Sequence, residues 1–244
     1  MDIKVIHDTI LFYLNKEQNG YVTHEDIDQT LDKAQLVLLN QYHTNPKLPA
    51  NAQVALLGES QRIDDALSPF KARYTFTGGG SPVNITSGGV VTLPSNYMHL
   101  LSMYTTVFNA TLNRNVYSGV QVLNEEELID RLESQVIPVS IDDPIAIMNA
   151  SNQIQLFPEQ AQSGGVYYIK RPDTPRFGYT QSGRTITYNP LPYDPSTQPT
   201  GSVQLSWRDM DINNIISIAL SYYGLNLSSQ EVMQFAELKT TQGQ

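Results

Sequence analysis

The chain has no cysteine among its 244 residues, which excludes disulfides, thiolate metal sites and a cysteine nucleophile. Basic residues are scarce as well. Lys and Arg number 15 against 24 Asp and Glu, the net charge is −9, and no basic run exceeds the pair Lys170–Arg171. Gripping a phosphate backbone takes clustered cations, so specific nucleic-acid binding is not expected. No stretch of about 18 apolar residues occurs, and none can cross a membrane as a helix. Asp2, His7 and Asp8 interrupt residues 1–25, which lack the basic start and unbroken apolar core of a secretory signal. The expectation is a soluble protein made in the cytoplasm.

Reaction chemistry is equally thin. The four histidines, His7, His24, His43 and His99, include no i, i+4 pair of the kind that holds a metal on one helix face. Each reads as a surface residue or a satisfied core residue. Gly78–Gly80 and Gly88-Gly89 lack the Lys-Ser/Thr that completes a phosphate-binding loop, and no G-x-S-x-G elbow occurs. Carboxylates cluster at Asp64-Asp65, Glu125–Glu127 and Asp142-Asp143, where they could in principle serve glycoside hydrolysis. Adjacent acids diverge on any regular element, however. The expectation is no catalysis and no cofactor.

Only 16% of residues are charged, below the usual ~25%. Asn, Gln, Ser, Thr and Tyr take the vacated positions, and Tyr outnumbers Trp by 14 to 1. Such surfaces suit protein contacts, because Tyr combines an apolar ring with a hydroxyl that tolerates a wet interface.

Periodicity gives an α+β fold: a discontinuous helical body built from both termini, with a β-rich insertion. Ile3, Ile6, Ile10 and Leu14 recur at helical spacing, widened by Val5, Leu11, Phe12 and Tyr13. Asn19-Gly20 stops this helix and Thr23 caps the next, with Asp26 as partner and Ile27, Leu31, Ala34, Leu38 and Tyr42 as its stripe. Short helices are expected over 52–57 and 63–67. From Phe70 the period shortens. Strands are expected at 74–76, 90–93, 97–107, 145–148, 154–157, 166–170 and 203–207, with hairpins around Val83–Ile85 and Ile186. One acidic helix follows Asn124. Asp211 is expected to cap a helix carrying Ile212, Ile215, Ile216, Ala219 and Leu220, which Gly224 breaks. Ser228 starts a last helix. The organisation is 1–69 helical, 70–208 inserted and β-rich, and 209–244 helical again, since neither terminal stripe can bury itself alone.

The segment from Asn15 to Asp26 imitates a calcium-binding EF-hand loop. It offers oxygen ligands at Asn15, Glu17 and Asn19, Gly20 at position six, and Asp26 at position twelve. Asn15 stands where the motif has Asp, and Asp26 is shorter than the bidentate Glu. Helix–turn–helix grammar predicts the same residues, so the expectation is a connector without metal.

Several segments together resemble virion structural proteins of crAss-like and related phages. They are Asp2–Tyr13 with Gln18–Tyr21, Leu93–Tyr97 before Leu100-Leu101, Ile154–Pro158, Tyr168–Pro172, Ile215–Leu227 and Gln242–Gln244. The architecture resembles the tail tubular adaptors of short-tailed phages, in which a helical body holds a β insertion. The resemblance implies a head–tail connector: a ring, of twelve copies on a dodecameric portal, lining the DNA exit channel of the virion. Its partners would be further copies, the portal protein, other tail rings and passing DNA without specific binding. It carries over no catalytic residue. Val232, Phe235 and Leu238 on the last helix, with the tail to Gln244, are the expected portal-docking residues; the alternative is that this helix packs back on Ile215 and Ile216. The alternative is a calcium- or carbohydrate-binding module without catalysis.

Overall fold

The computed structural model describes residues 1–16, 22–44, 61–77, 89–109, 113–149, 152–159, 163–183 and 185–224. The fold is α+β. The chain divides into two compact units, one of Met1–Pro69 with Pro172–Gln244 and the other of Phe70–Arg171.

The first unit holds α1 (Ile3–Lys16), α2 (His24–Thr44), α3 (residues 61–67) and a later helix, α5 (Asp209–Tyr222). Both terminal stripes are buried in it. Ile3, Ile6 and Ile10 of α1, Ile27 and Leu31 of α2, and Ile212 and Ile215 of α5 have no exposed surface. Val5 and Phe12, expected to widen the α1 stripe, face outward instead. Thr23 caps α2 reciprocally: its N–H and hydroxyl donate to the Asp26 carboxylate at 3.0 and 2.6 Å, and Asp26 N–H returns a bond to the Thr23 hydroxyl at 3.1 Å. Two orphan donors of the first turn are thereby satisfied. Gly224, at φ +81°, ends α5 in the left-handed conformation that only glycine takes without strain.

Asp211 is not the cap expected of it. Helix α5 starts at Asp209 with Arg208 at the cap position, and Asp211 lies inside the first turn, buried, accepting the Tyr42 hydroxyl at 2.7 Å. The indole of Trp207, also buried, lies 6.1 Å from the Tyr42 ring.

The second unit is a sandwich of two four-stranded sheets. Sheet one has the order β1 (Lys71–Thr77), β8 (Ser163–Lys170), β3 (Tyr97–Asn109), β4 (Arg114–Gly119), all antiparallel. Sheet two has the order β2 (Val90–Thr92), β7 (Gln153–Phe157), β6 (Ile145–Asn149), β5 (Gln121–Leu123), with β5 and β6 parallel. Their inner faces meet in one core. Phe76, Met103, Val166 and Tyr168 come from sheet one, and Val91, Ala146, Ile154 and Leu156 from sheet two. Helix α4 (Glu125–Glu133) follows β5 and buries no residue. The unit begins at β1 and ends at β8, which pair, so Lys71 stands opposite Ile169. Adjacent chain ends are what an inserted domain requires.

The insertion is shorter than the sequence reading made it. Residues 172–208 belong to the helical unit. Their Pro, Gly and Tyr content reads as β-rich loop, and they do form a hairpin of β9 (Tyr179–Ser182) and β10 (Thr185–Tyr188). Their hydrogen bonds, however, run to α1 and α2. Gln204 accepts Ile3 N–H at 2.7 Å, Tyr188 donates to Asp2 at 2.7 Å, and Gln35 donates to the Asp173 carbonyl at 3.0 Å. Val203–Trp207 is correspondingly no strand: Val203 makes one isolated bridge with Arg176, while Leu205 and Trp207 fill the helical core. Strands β4 and β5, short and mostly exposed, were not anticipated. The expected hairpin at Val83–Ile85, the helix at 52–57 and the helix from Ser228 lie outside the described residues.

Candidate functional site

The most chemically equipped place in the helical unit lies where α2 begins against the middle of α1. His7 sits on the buried face of α1, its side chain without exposed surface. Its Nε2 lies 2.9 Å from Asp28 Oδ1, and its Nδ1 lies 3.1 Å from Nδ1 of His24, the first residue of α2. Asp28 also accepts Phe177 N–H at 3.0 Å on both oxygens. An ionised carboxylate only accepts, so His7 Nε2 carries the proton that Asp28 receives. Between the two Nδ1 atoms one imidazole donates and the other accepts, the tautomers deciding which. Burial, and next the charge of His7, hold the His24 pKa below its ordinary value.

Aromatic rings close over both imidazoles. The Phe177 ring stacks on His24 at 4.2 Å and on His7 at 4.7 Å, and Tyr188 lies 5.1 Å from Phe177. Beside His24 opens a groove lined by Leu11, Leu14, Val22, Ile186, Glu25 and Tyr179. The Asp28–His7–His24 chain could move a proton. Its neighbours do not make it a nucleophilic site, because the Thr23 hydroxyl is committed to Asp26 and the Tyr179 hydroxyl lies 3.3 Å from Glu25. The arrangement works as a polar staple joining α1, α2 and the segment from Phe177 to Tyr188, each buried donor having an acceptor.

Of the calcium candidates, Asn15 lies on α1 and is exposed, and Asp26 is engaged as the α2 cap. Glu17 and Asn19 lie outside the described residues, as do the expected docking residues Val232, Phe235, Leu238 and Gln244. Among the described residues no group of three or more His, Asp or Glu is placed to hold a metal ion. The acidic clusters have structural employment: Asp143 pairs with Arg131, Asp65 with Arg208 at 3.4 Å, and Glu127 accepts the Asn124 N–H at 3.3 Å. No helix among the described residues is long and apolar enough to cross a membrane.

The His7–His24 pair escaped the sequence reading because it spans two helices. A hairpin of adjacent antiparallel helices would set His7 far from the start of α2, whereas here the first turn of α2 meets α1 at its middle. One signal was present: His7 follows Ile6 and precedes Ile10 on the buried stripe, where a polar residue needs a partner. Compared with known protein families and with curated proteins, the chain matches no family model and no curated sequence.

Proposed function

We propose that this chain is a structural virion protein of a phage, forming an oligomeric ring that joins the portal and head to the tail and lines the DNA exit channel. The observation that carries the reading is the architecture of an insertion. Helices α1, α2 and α3 from the first part of the chain and α5 from its last part fall in one unit, and a β-sandwich enters and leaves through the paired strands β1 and β8. The spread of resembling segments along the sequence supports it from a separate direction. So does composition: a chain of net −9 gives DNA a lumen along which it slides without sticking. The partners are further copies of the chain, twelve on a dodecameric portal, together with the portal and neighbouring tail rings. The calcium alternative draws no comparable support, since Asp26 already serves as a helix cap.

Antibody labelling of phage particles decides the reading. Label at the portal vertex of particles, in a number of copies fitting a closed ring, is the expected result. A chain found only in infected cells and never in particles would end it.

A further inference from the structure

The sandwich unit carries two outer faces of contrasting chemistry. On sheet one, alternation sends Phe76 and Val166 inward and Arg73 and Tyr167 outward. The register sets Arg73 opposite Tyr167 and Tyr104 opposite Gly165. A side chain at Gly165 would strike the Tyr104 ring at 2.5–2.8 Å, so its absence lets that ring lie down on the sheet. Arg73 then spans two rings, 5.5 Å from Tyr104 and 5.8 Å from Tyr167, and donates to the Tyr104 hydroxyl. Tyr117 stands 5.6 Å from Tyr104 and is 66% exposed. Lys71 and Arg73 stand on this outer face, and the four strands of the sheet contain no carboxylate. Tyr and Arg on a rigid sheet are the composition of interface anchors.

The opposite side of the sandwich is its chemical complement. On sheet two Ala146 faces the core, so Leu123, Ile145 and Ile147 take the other face, where they are buried, with Leu123 and Ile147 beside α4. Helix α4 carries Glu125, Glu126, Glu127, Asp130 and Glu133 against the single Arg131. It shows apolar side chains among these charges. Ile129 and Leu132 are exposed on α4, and behind it Ile137 is exposed and Val136 is 90% exposed. A helix with no buried residue beside a loop of bare aliphatic side chains is an unfinished surface.

We propose that copies of this chain join head to tail through these two faces, α4 and the loop to Ile141 of one copy docking on the Tyr/Arg face of sheet one in the next. The occupant is a second copy because the complementary charge lies on the same unit, cationic and carboxylate-free on one side, acidic on the other. Two different patches on opposite sides make a heterologous contact, the kind that builds a ring when the rotation between copies closes. Flat sugar stacking fits the Tyr/Arg face poorly: Tyr104 is tilted 56° from Tyr117 and 40° from Tyr167, and Arg73 covers it. The inference rests on the ring reading and deepens it by assigning the subunit contact.

Sedimentation velocity over a concentration series tests it, using the full chain and the variants Arg73→Glu, Val136→Asp and Arg73→Glu with Glu133→Arg. All three changes are at exposed positions, so folding, checked by circular dichroism, is retained. The wild-type chain is expected to associate, each single variant to do so about a hundredfold more weakly, and the double variant to recover most of the loss. Single variants that associate like the wild type would overturn this contact while leaving the ring reading intact. A wild-type chain that stays monomeric up to about 1 mM, where a micromolar contact is saturated, would overturn it too. The particle labelling tests the ring reading separately from this contact.

Discussion

Replacing Asp28 with Ala tests the staple at its centre. The substitution removes the acceptor of the His7 Nε2 proton, 2.9 Å away, and of Phe177 N–H, 3.0 Å away. His7 has no exposed surface and Asp28 only 14%, so the His7 N–H loses its partner in a largely buried site. Each orphaned donor costs about 1–3 kcal/mol. Allowing water to re-solvate one of them in part, the loss is about 3 kcal/mol. With a urea slope of about 2 kcal/mol per molar, the unfolding midpoint falls by about 1.5 M. Trp207 is the only tryptophan and is buried in the same unit, so its fluorescence reports this unit directly. Asp28→Asn keeps one carbonyl acceptor and is expected to lose about half as much. A midpoint for Asp28→Ala within about 0.3 M of the wild type would refute the reasoning, because two buried donors cannot lose their acceptor at so small a cost.

Three further outcomes are expected. The His24 pKa is lowered by burial and by His7 from an ordinary 6.5, so the unfolded chain binds more protons between the two values. Stability is then fully present above about pH 6.5 and declines as pH falls toward the folded value. His24→Phe, which keeps a ring on Phe177, should flatten that decline in Trp207-monitored urea titrations. Gly164→Ala would set a methyl group 2.6 Å from the Phe76 ring and against the Tyr104 carbonyl; overpacking of this kind costs about 1–3 kcal/mol, read as a lower midpoint by circular dichroism. Tyr42→Phe removes the 2.7 Å hydroxyl donor to buried Asp211 and should cost about 2 kcal/mol in the Trp207-monitored transition.

Much of the helical unit was legible because a buried stripe must recur every three or four residues. The buried residues Ile3, Ile6, Ile10 and Leu14, and Ile212, Ile215 and Ile216, are those the spacing selected. The Thr23 cap, the Ile145–Asn149 and Gln153–Phe157 hairpin and the stop at Gly224 were legible for the same reason: each is a local rule with a local residue. Residues 172–208 were misassigned because membership of a unit is decided by long-range bonds. Those bonds, such as Gln204 to Ile3 and Asp28 to Phe177, leave no mark on local composition. Strand β4 was hidden because none of its residues is buried: only Val116 and Ser118 are half-buried, too little for an apolar alternation. The Tyr/Arg face needed the β1–β8–β3 register, which brings Arg73, Tyr104 and Tyr167 together from three distant segments.

Electron microscopy of the purified chain at high concentration tests the central claim most directly. The account predicts closed rings with a central channel, resolved as head-to-tail copies whose sandwich units touch their neighbours. Its surface potential along the channel should be neutral to acidic, in keeping with a net charge of −9. Particles that stay single at every concentration, or rings whose channel is lined continuously by Lys and Arg, would contradict it.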